Sequence, residues 1–214
     1  MNRTPKTLSV TECHQLLDAL VYKNGTKKQS RKGIRNYTMA LLMLDTGLRV
    51  GEVVQLHVSD LFFHDNVVEN LVVRAEIAKN KTERIIPLSD RLLNAVRELN
   101  KSLWKPNSRP NNAYAMSIRM GTHPITTRQV ERIIRTAALK SIGRPVHPHV
   151  LRHTFATRLM RKTNARVVQE LLGHAHITTT QIYTHPNEDD KKKAIQDVEK
   201  DNVQGVFELK DLST

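Results

Sequence analysis

The sequence predicts a mainly helical α+β domain with a small three-stranded antiparallel sheet, and three observations lead there. Apolar residues recur at helical spacing along most of the chain. In one place only, residues 60–88, the period changes to that of strands. No internal repeat or linker interrupts the 214 residues, a length that suits one generous domain.

The elements follow in order. Residues 8–22 set Leu16, Leu17, Leu20 and Val21 on one stripe of an amphipathic helix. Lys23 to Lys28 is a loop. A second helix runs from about Arg31 to Asp45 and stops at Thr46-Gly47, since glycine is the common residue just past a helix end. A short helix spans Val50 to Leu56. Leu61-Phe62-Phe63, Val67 to Val73 and Arg84-Ile85-Ile86-Pro87 read as the three strands, with Ala78 to Thr82 at a hairpin tip. Ser89 to about Leu103 is helical, and the Pro- and Asn-rich stretch 104–113 is an exposed loop. Thr126 with Gln129 forms a capping box for a helix to about Lys140. Pro148 suits the first turn of a helix to about Lys162. Asn164 to Leu172 forms another, ended by Gly173, and a last short helix holds Gln181 to Tyr183. The main domain is expected over 1–190. A tail, 191–214, carries apolar clusters at Ala194, Ile195 and Val198 and at Val206, Phe207 and Leu209.

Composition narrows the class. Hydrophobic residues make up 39% and charged residues 26%, as in a folded globular domain. The longest apolar runs, such as Met39 to Leu44, fall far short of the roughly 20 residues of a membrane span. The N-terminus lacks the apolar core of a secretory signal. One cysteine, Cys13, rules out an internal disulfide framework and is simplest as a buried small hydrophobe. These features predict a cytoplasmic protein with no membrane partner.

Charge is the strongest compositional signal. Lys and Arg number 34 against 21 Asp and Glu, a formal charge of +13. Such an excess is the footprint of a nucleic-acid binder. Residues 132–169 contain no acidic residue but nine basic ones, among them Arg132, Arg135, Arg152, Arg158, Arg161 and Arg166. That one-signed stretch suits a polyanion, and it denies a two-metal hydrolytic site its local carboxylates.

Three motifs carry candidate chemistry. In His149-Val150-Leu151-Arg152-His153, positions 149 and 152 lie about 60° apart around a helix and share a face. With the helix N-terminus beside them they make a phosphate site. Leu172-Gly173-His174 throws a histidine off a helix end, and Tyr183 follows nine residues later. In Thr46-Gly47-Leu48-Arg49-Val50-Gly51-Glu52, a glycine turn places Arg49 at the next helix start, with Glu52 able to brace it or cap locally. Each motif alone fits an ordinary structural role. Together they suit attack on a phosphodiester, because guanidiniums neutralise the charge of a pentavalent phosphorane. A tyrosine needs such a field and a base to act as nucleophile.

These three motifs, in this order and spacing, resemble the tyrosine recombinase family, also called phage integrases, over about residues 8–190. The resemblance implies that Arg49 and Arg152 clamp the scissile phosphate. Tyr183 would attack it, forming a 3′-phosphotyrosyl bond and freeing a 5′-hydroxyl. It implies His149 as general base and His174 as donor to a non-bridging oxygen. A hairpin lysine would protonate the leaving oxygen; Lys79 fits that place, with Lys81 as competitor. Glu52 and His153 match supporting positions, and Arg158, Arg161 and Arg166 flank the site as candidate DNA contacts.

The resemblance further implies double-stranded DNA as substrate and a homotetramer assembled on it. The strands would be exchanged through a Holliday junction, with accessory bending or directionality proteins and a nucleoid location when bound. Transesterification conserves the phosphodiester energy, so neither ATP nor a metal ion is chemically required, and no cofactor is expected. The tail would dock on a neighbouring protomer or pack in cis. Two departures stand out. With a helix expected from near residue 8, the chain is expected either to lack the core-binding domain of many members or to be a fragment or degenerate copy, and Gly51 stands where many have serine. The competing readings are a type IB topoisomerase and a non-catalytic DNA-binding regulator.

Overall fold

In the computed structural model, residues 7–21, 26–117, 121–173 and 188–203 are described. The architecture is built around one helix, α2 (Lys27–Asp45), in which every residue from Gly33 to Asp45 is buried. It packs against α1 (Val10–Leu20), α4 (Asp90–Leu99) and α6 (Pro148–Met160), while α1 also packs on α5 (Thr127–Ser141). The core this creates runs through Leu16, Met39, Leu41, Leu42, Leu48, Phe155 and Leu159, all fully buried. Burying a side chain of that size contributes roughly 1.5–3 kcal/mol, so this layer of apolar stripes carries most of the stability.

Local signals fix the helix starts. Ser9, Thr26 and Thr126 each cap a helix reciprocally with the residue three positions on, Glu12, Gln29 and Gln129. The Thr26–Gln29 box explains why α2 begins at Lys27, earlier than the apolar periodicity alone indicates. Helix α4 ends at Leu99 and continues as a wider π-helical turn over Asn100–Trp104.

The expected three-stranded sheet is two separate hairpins. β1 (Phe62–Phe63) pairs with β2 (Asn66–Val67), and β3 (Asn70–Val73) pairs with β4 (Arg84–Pro87), both antiparallel. The predicted strand 67–73 breaks at Val68-Glu69. The Val68 N–H returns to the Leu61 carbonyl at 3.1 Å, whereas the Glu69 carbonyl accepts from Leu88 at 2.9 Å. The chain changes partner between those two bonds, so among the described residues no strand has neighbours on both sides.

The helix α8 (Glu188–Val203) runs across the expected divide at 190/191. Ala194, Ile195 and Val198 are buried on their own chain, against elements that include α6, α7 (Ala165–Leu172) and β4. Glu199 fixes its far end by accepting the backbone N–H groups of Asp90 and Arg91 at the start of α4, at 3.3 and 2.9 Å. The second apolar cluster, Val206 to Leu209, lies outside the described residues, as does the helix expected at Gln181 to Tyr183.

Candidate active site

Gly47 and Gly173 build the two turns that frame the site. Gly47, at φ +65°, turns the chain from α2 into α3 (Val50–Val54) and makes Arg49 the N-cap of α3. Gly173, at φ +63°, ends α7 in the left-handed conformation. Both carbonyl-rich turns face arginines. One Arg152 amino group donates to the Gly47 carbonyl and the other to the Leu172 carbonyl, the latter at 2.9 Å. Arg152 thereby ties α6 to both turns, and it is only 8% exposed.

Glu52 is the carboxylate at the centre. Its Oε2 accepts the Arg49 backbone N–H at 2.8 Å and its Oε1 accepts Arg49 Nη1 at 3.1 Å, so it both caps α3 and braces the arginine. Arg84, on β4, supplies the other half. Its Nη1 and Nη2 donate to Oε1 and Oε2 at 3.2 and 2.7 Å, and its Nε donates to the Leu171 carbonyl at 3.0 Å. A continuous polar chain therefore runs Arg49–Glu52–Arg84 to the end of α7, where Arg152 closes it back to Gly47.

Among the described residues this cluster sets three guanidiniums around one carboxylate, away from bulk water. Burial pushes the Glu52 carboxyl up, but the bond and charge of Arg84, then those of Arg49, outweigh it and hold the group below its usual 4.5. Burial lowers the Arg152 guanidinium, and Arg49 and Arg84 lower it further against the pull of Glu52, to about 10. Arg152 keeps its charge at neutral pH. A largely buried surplus of positive charge, with Arg49 still 20% exposed at its side chain, is suited by its electrostatics to an oxyanion.

The remaining predicted residues fall around this core. His149 stands exposed in the first turn of α6, one turn before Arg152, and His153 is half-buried beside it. Lys79 and Lys81 are both exposed in the long β3–β4 connection. That connection is anchored to the site, because Asn80 Nδ2 donates to the Gly173 carbonyl at 2.8 Å. Arg161 and Arg166 are exposed. Arg158 departs from the expected surface role: it is half-buried, and its Nη2 donates to the Leu8 carbonyl and to Cys13 Sγ, each at 3.4 Å. His174 and Tyr183 lie outside the described residues.

Arg84 and Asn80 escaped the sequence reading. Arg84 had a signal: in Arg84-Ile85-Ile86 the strand period puts residues 84 and 86 on one face, and Ile86 is fully buried whereas Ile85 is 41% exposed. A charge on an inward strand face implies a buried partner. Asn80 had none, since its partner is a carbonyl 93 positions away.

The sequence profile of the phage integrase family matches residues 6–190. A tyrosine recombinase of Pseudothermotoga lettingae is 36% identical over 195 residues, which are 90% of this chain and 60% of that protein. Tyrosine recombinase XerD of Oceanobacillus iheyensis is 35% identical over 86% of this chain and 58% of its own length. The crystal structure of XerA recombinase superposes with a TM-score of 0.65 at 30% identity, covering 90% of this chain and 62% of that one. The chain thus spans about three fifths of the length of the relatives it matches.

Proposed function

The chain belongs to the phage integrase family, and from that premise we propose that it is a site-specific DNA recombinase that cleaves and rejoins strands through a 3′-phosphotyrosyl intermediate at Tyr183. The observation that carries the reading is the buried cluster of Arg49, Glu52, Arg84 and Arg152, a preorganised surplus of positive charge that needs an anion. Arg49 and Arg152 neutralise the two non-bridging oxygens of the scissile phosphate as negative charge builds in the phosphorane. Tyr183 attacks phosphorus while His149 takes its proton, and the 5′-oxygen leaves with a proton from Lys79. His174, one residue past the Gly173 turn, donates to a non-bridging oxygen. His153 supports the α6 end of the site.

One phosphoester replaces another in this reaction, so the proposal needs neither nucleotide nor metal ion. Double-stranded DNA is the substrate, with Arg161 and Arg166 on its backbone. The active assembly is a homotetramer on DNA, helped by accessory bending or directionality proteins and located with the nucleoid. With Ala194, Ile195 and Val198 buried in cis, docking on a neighbouring protomer falls to Val206, Phe207 and Leu209.

Trapping the covalent intermediate tests the reading. Nicked duplexes tiled across the DNA flanking the coding gene are incubated with wild type and with Tyr183→Phe, in chelator and without nucleotide. A denaturant-stable adduct on a 3′ end, formed by wild type alone, is the expected result. An equal adduct with Tyr183→Phe would remove the tyrosine from the mechanism.

A further inference from the structure

Arg84 sits in none of the three motifs, yet its side chain is held on two elements of the cluster. Its side chain is 5% exposed, and it spends three donors on two elements: two on the Glu52 carboxylate and one on the Leu171 carbonyl. Gly173 packs directly over it, since a Cβ at Gly173 would lie 3.1 Å from Arg84 Cδ. The same strand closes the β3–β4 connection that carries Lys79. Each Glu52 oxygen is divided evenly: Oε1 between Arg49 Nη1 and Arg84 Nη1, Oε2 between the Arg49 backbone N–H and Arg84 Nη2.

That division has a mechanical consequence. A buried carboxylate with all its lone pairs directed holds a neighbouring guanidinium by one bond rather than two. Without Arg84, Glu52 keeps its charge in the interior with Arg49 as the remaining guanidinium of the pair network. The freed oxygens would draw Arg49 into a bidentate pair. Arg49 would then turn toward the protein and away from solvent. Lysine cannot substitute, because a single ammonium does not reach two carboxylate oxygens and a carbonyl in one plane.

We propose that Arg84 is a positioning residue for strand cleavage: by occupying both oxygens of Glu52 and holding the end of α7, it keeps the Arg49 guanidinium turned outward to the scissile phosphate. The proposal rests on the recombinase reading for its chemistry, and two measurements on the full chain separate the two.

The first needs no DNA. The 15N resonance of Arg49 Nε, assigned by its loss in Arg49→Lys, is compared between wild type and Arg84→Met. Thermal unfolding confirms the fold, and Arg84→Lys replaces Arg84→Met if the latter does not fold. A displaced Arg49 resonance is expected, and an unchanged one overturns the proposal.

The second uses the duplex mapped by trapping, with a phosphate or an uncharged methylphosphonate at the cut. A methylphosphonate carries no negative charge for Arg49 to neutralise. Arg84→Met is expected to slow adduct formation about tenfold or more on phosphate while changing the methylphosphonate rate by less than about twofold. Equal losses on both substrates overturn the proposal and leave Arg84 a purely structural residue. If wild type forms no adduct on any duplex, the recombinase reading is what fails, and the Arg49 resonance alone decides whether Arg84 aims that side chain.

Discussion

Gly47 turns the chain between α2 and α3 at φ +65°, and a Cβ there would come within 2.5 Å of Phe155 Cδ1 and 2.7 Å of Leu172 Cδ2. The first clash is with a ring fully buried in the core, so the neighbour cannot swing away. Gly47→Ala is therefore expected to cost about 1–3 kcal/mol for overpacking and roughly 1–2 kcal/mol for the left-handed backbone, read by urea unfolding. It also moves the carbonyl that Arg152 holds, so cleavage should fall even where the variant stays folded. Glu52 has a different signature. Its folded pKa lies below the unfolded 4.5, so its stabilisation is complete above pH 4.5 and is lost as pH falls below that value. Glu52→Gln leaves the guanidiniums without their buried carboxylate and should cost about 3–5 kcal/mol near neutral pH. The loss should shrink as wild type is acidified below pH 4.5, because protonation removes the same charge. Urea midpoints from pH 3 to 7 would show the two curves converging at the acid end.

At the scale of elements, most helices were legible because they carry their own start signals, whereas α8 read as part of a tail. Thr126-Gln129, Pro148 and Asn164 all act at the helix they open, through bonds or φ preferences within a few residues. The sheet was less legible because pairing is decided between segments. Nothing within Val67 to Val73 says that the chain changes partner at Val68-Glu69. The site divides the same way. Arg49, Glu52, His149 and Arg152 sit in motifs with fixed local spacing, whereas Arg84 and Asn80 are joined to the site by contacts across 32, 87 and 93 positions. The helix α8 is the element whose docking is easiest to test. Ile195 is 2% exposed and Glu199 caps α4, so packing and a polar clasp hold the two ends separately. Ile195→Asp puts a charge into that contact and should release α8. Hydrogen exchange would then accelerate over residues 188–203 while the amides of α2, which draw their protection from the central core, stay slow.

At the scale of the whole molecule, the acid-free stretch 132–169 becomes a property of three consecutive helices, α5, α6 and α7. Its basic residues separate by burial into two jobs. Arg144 pairs with Glu12 and Arg158 reaches the α1 entry, so these serve the fold, while the buried Arg152 holds the two turns that frame the candidate site. Arg132, Arg135, Lys140, Arg161, Lys162 and Arg166 are exposed and form the charge a polyanion would meet. Each phosphate neutralised by such a residue releases a condensed counterion, so the logarithm of affinity falls linearly with the logarithm of salt, with a slope of about −0.9 per contact. If most of this exposed set engages a duplex, about six contacts follow, and affinity should drop on the order of a thousandfold between 50 and 200 mM salt. Fluorescence anisotropy on a labelled duplex measures that slope. Arg166→Gln should weaken binding on any sequence alike and reduce the slope by about one unit, the mark of a backbone contact. Arg158→Gln should leave the slope unchanged and lower the unfolding midpoint instead, because its guanidinium is committed to Leu8 and Cys13. A flat salt response from wild type would mean that the +13 charge serves some other purpose than holding a phosphate backbone.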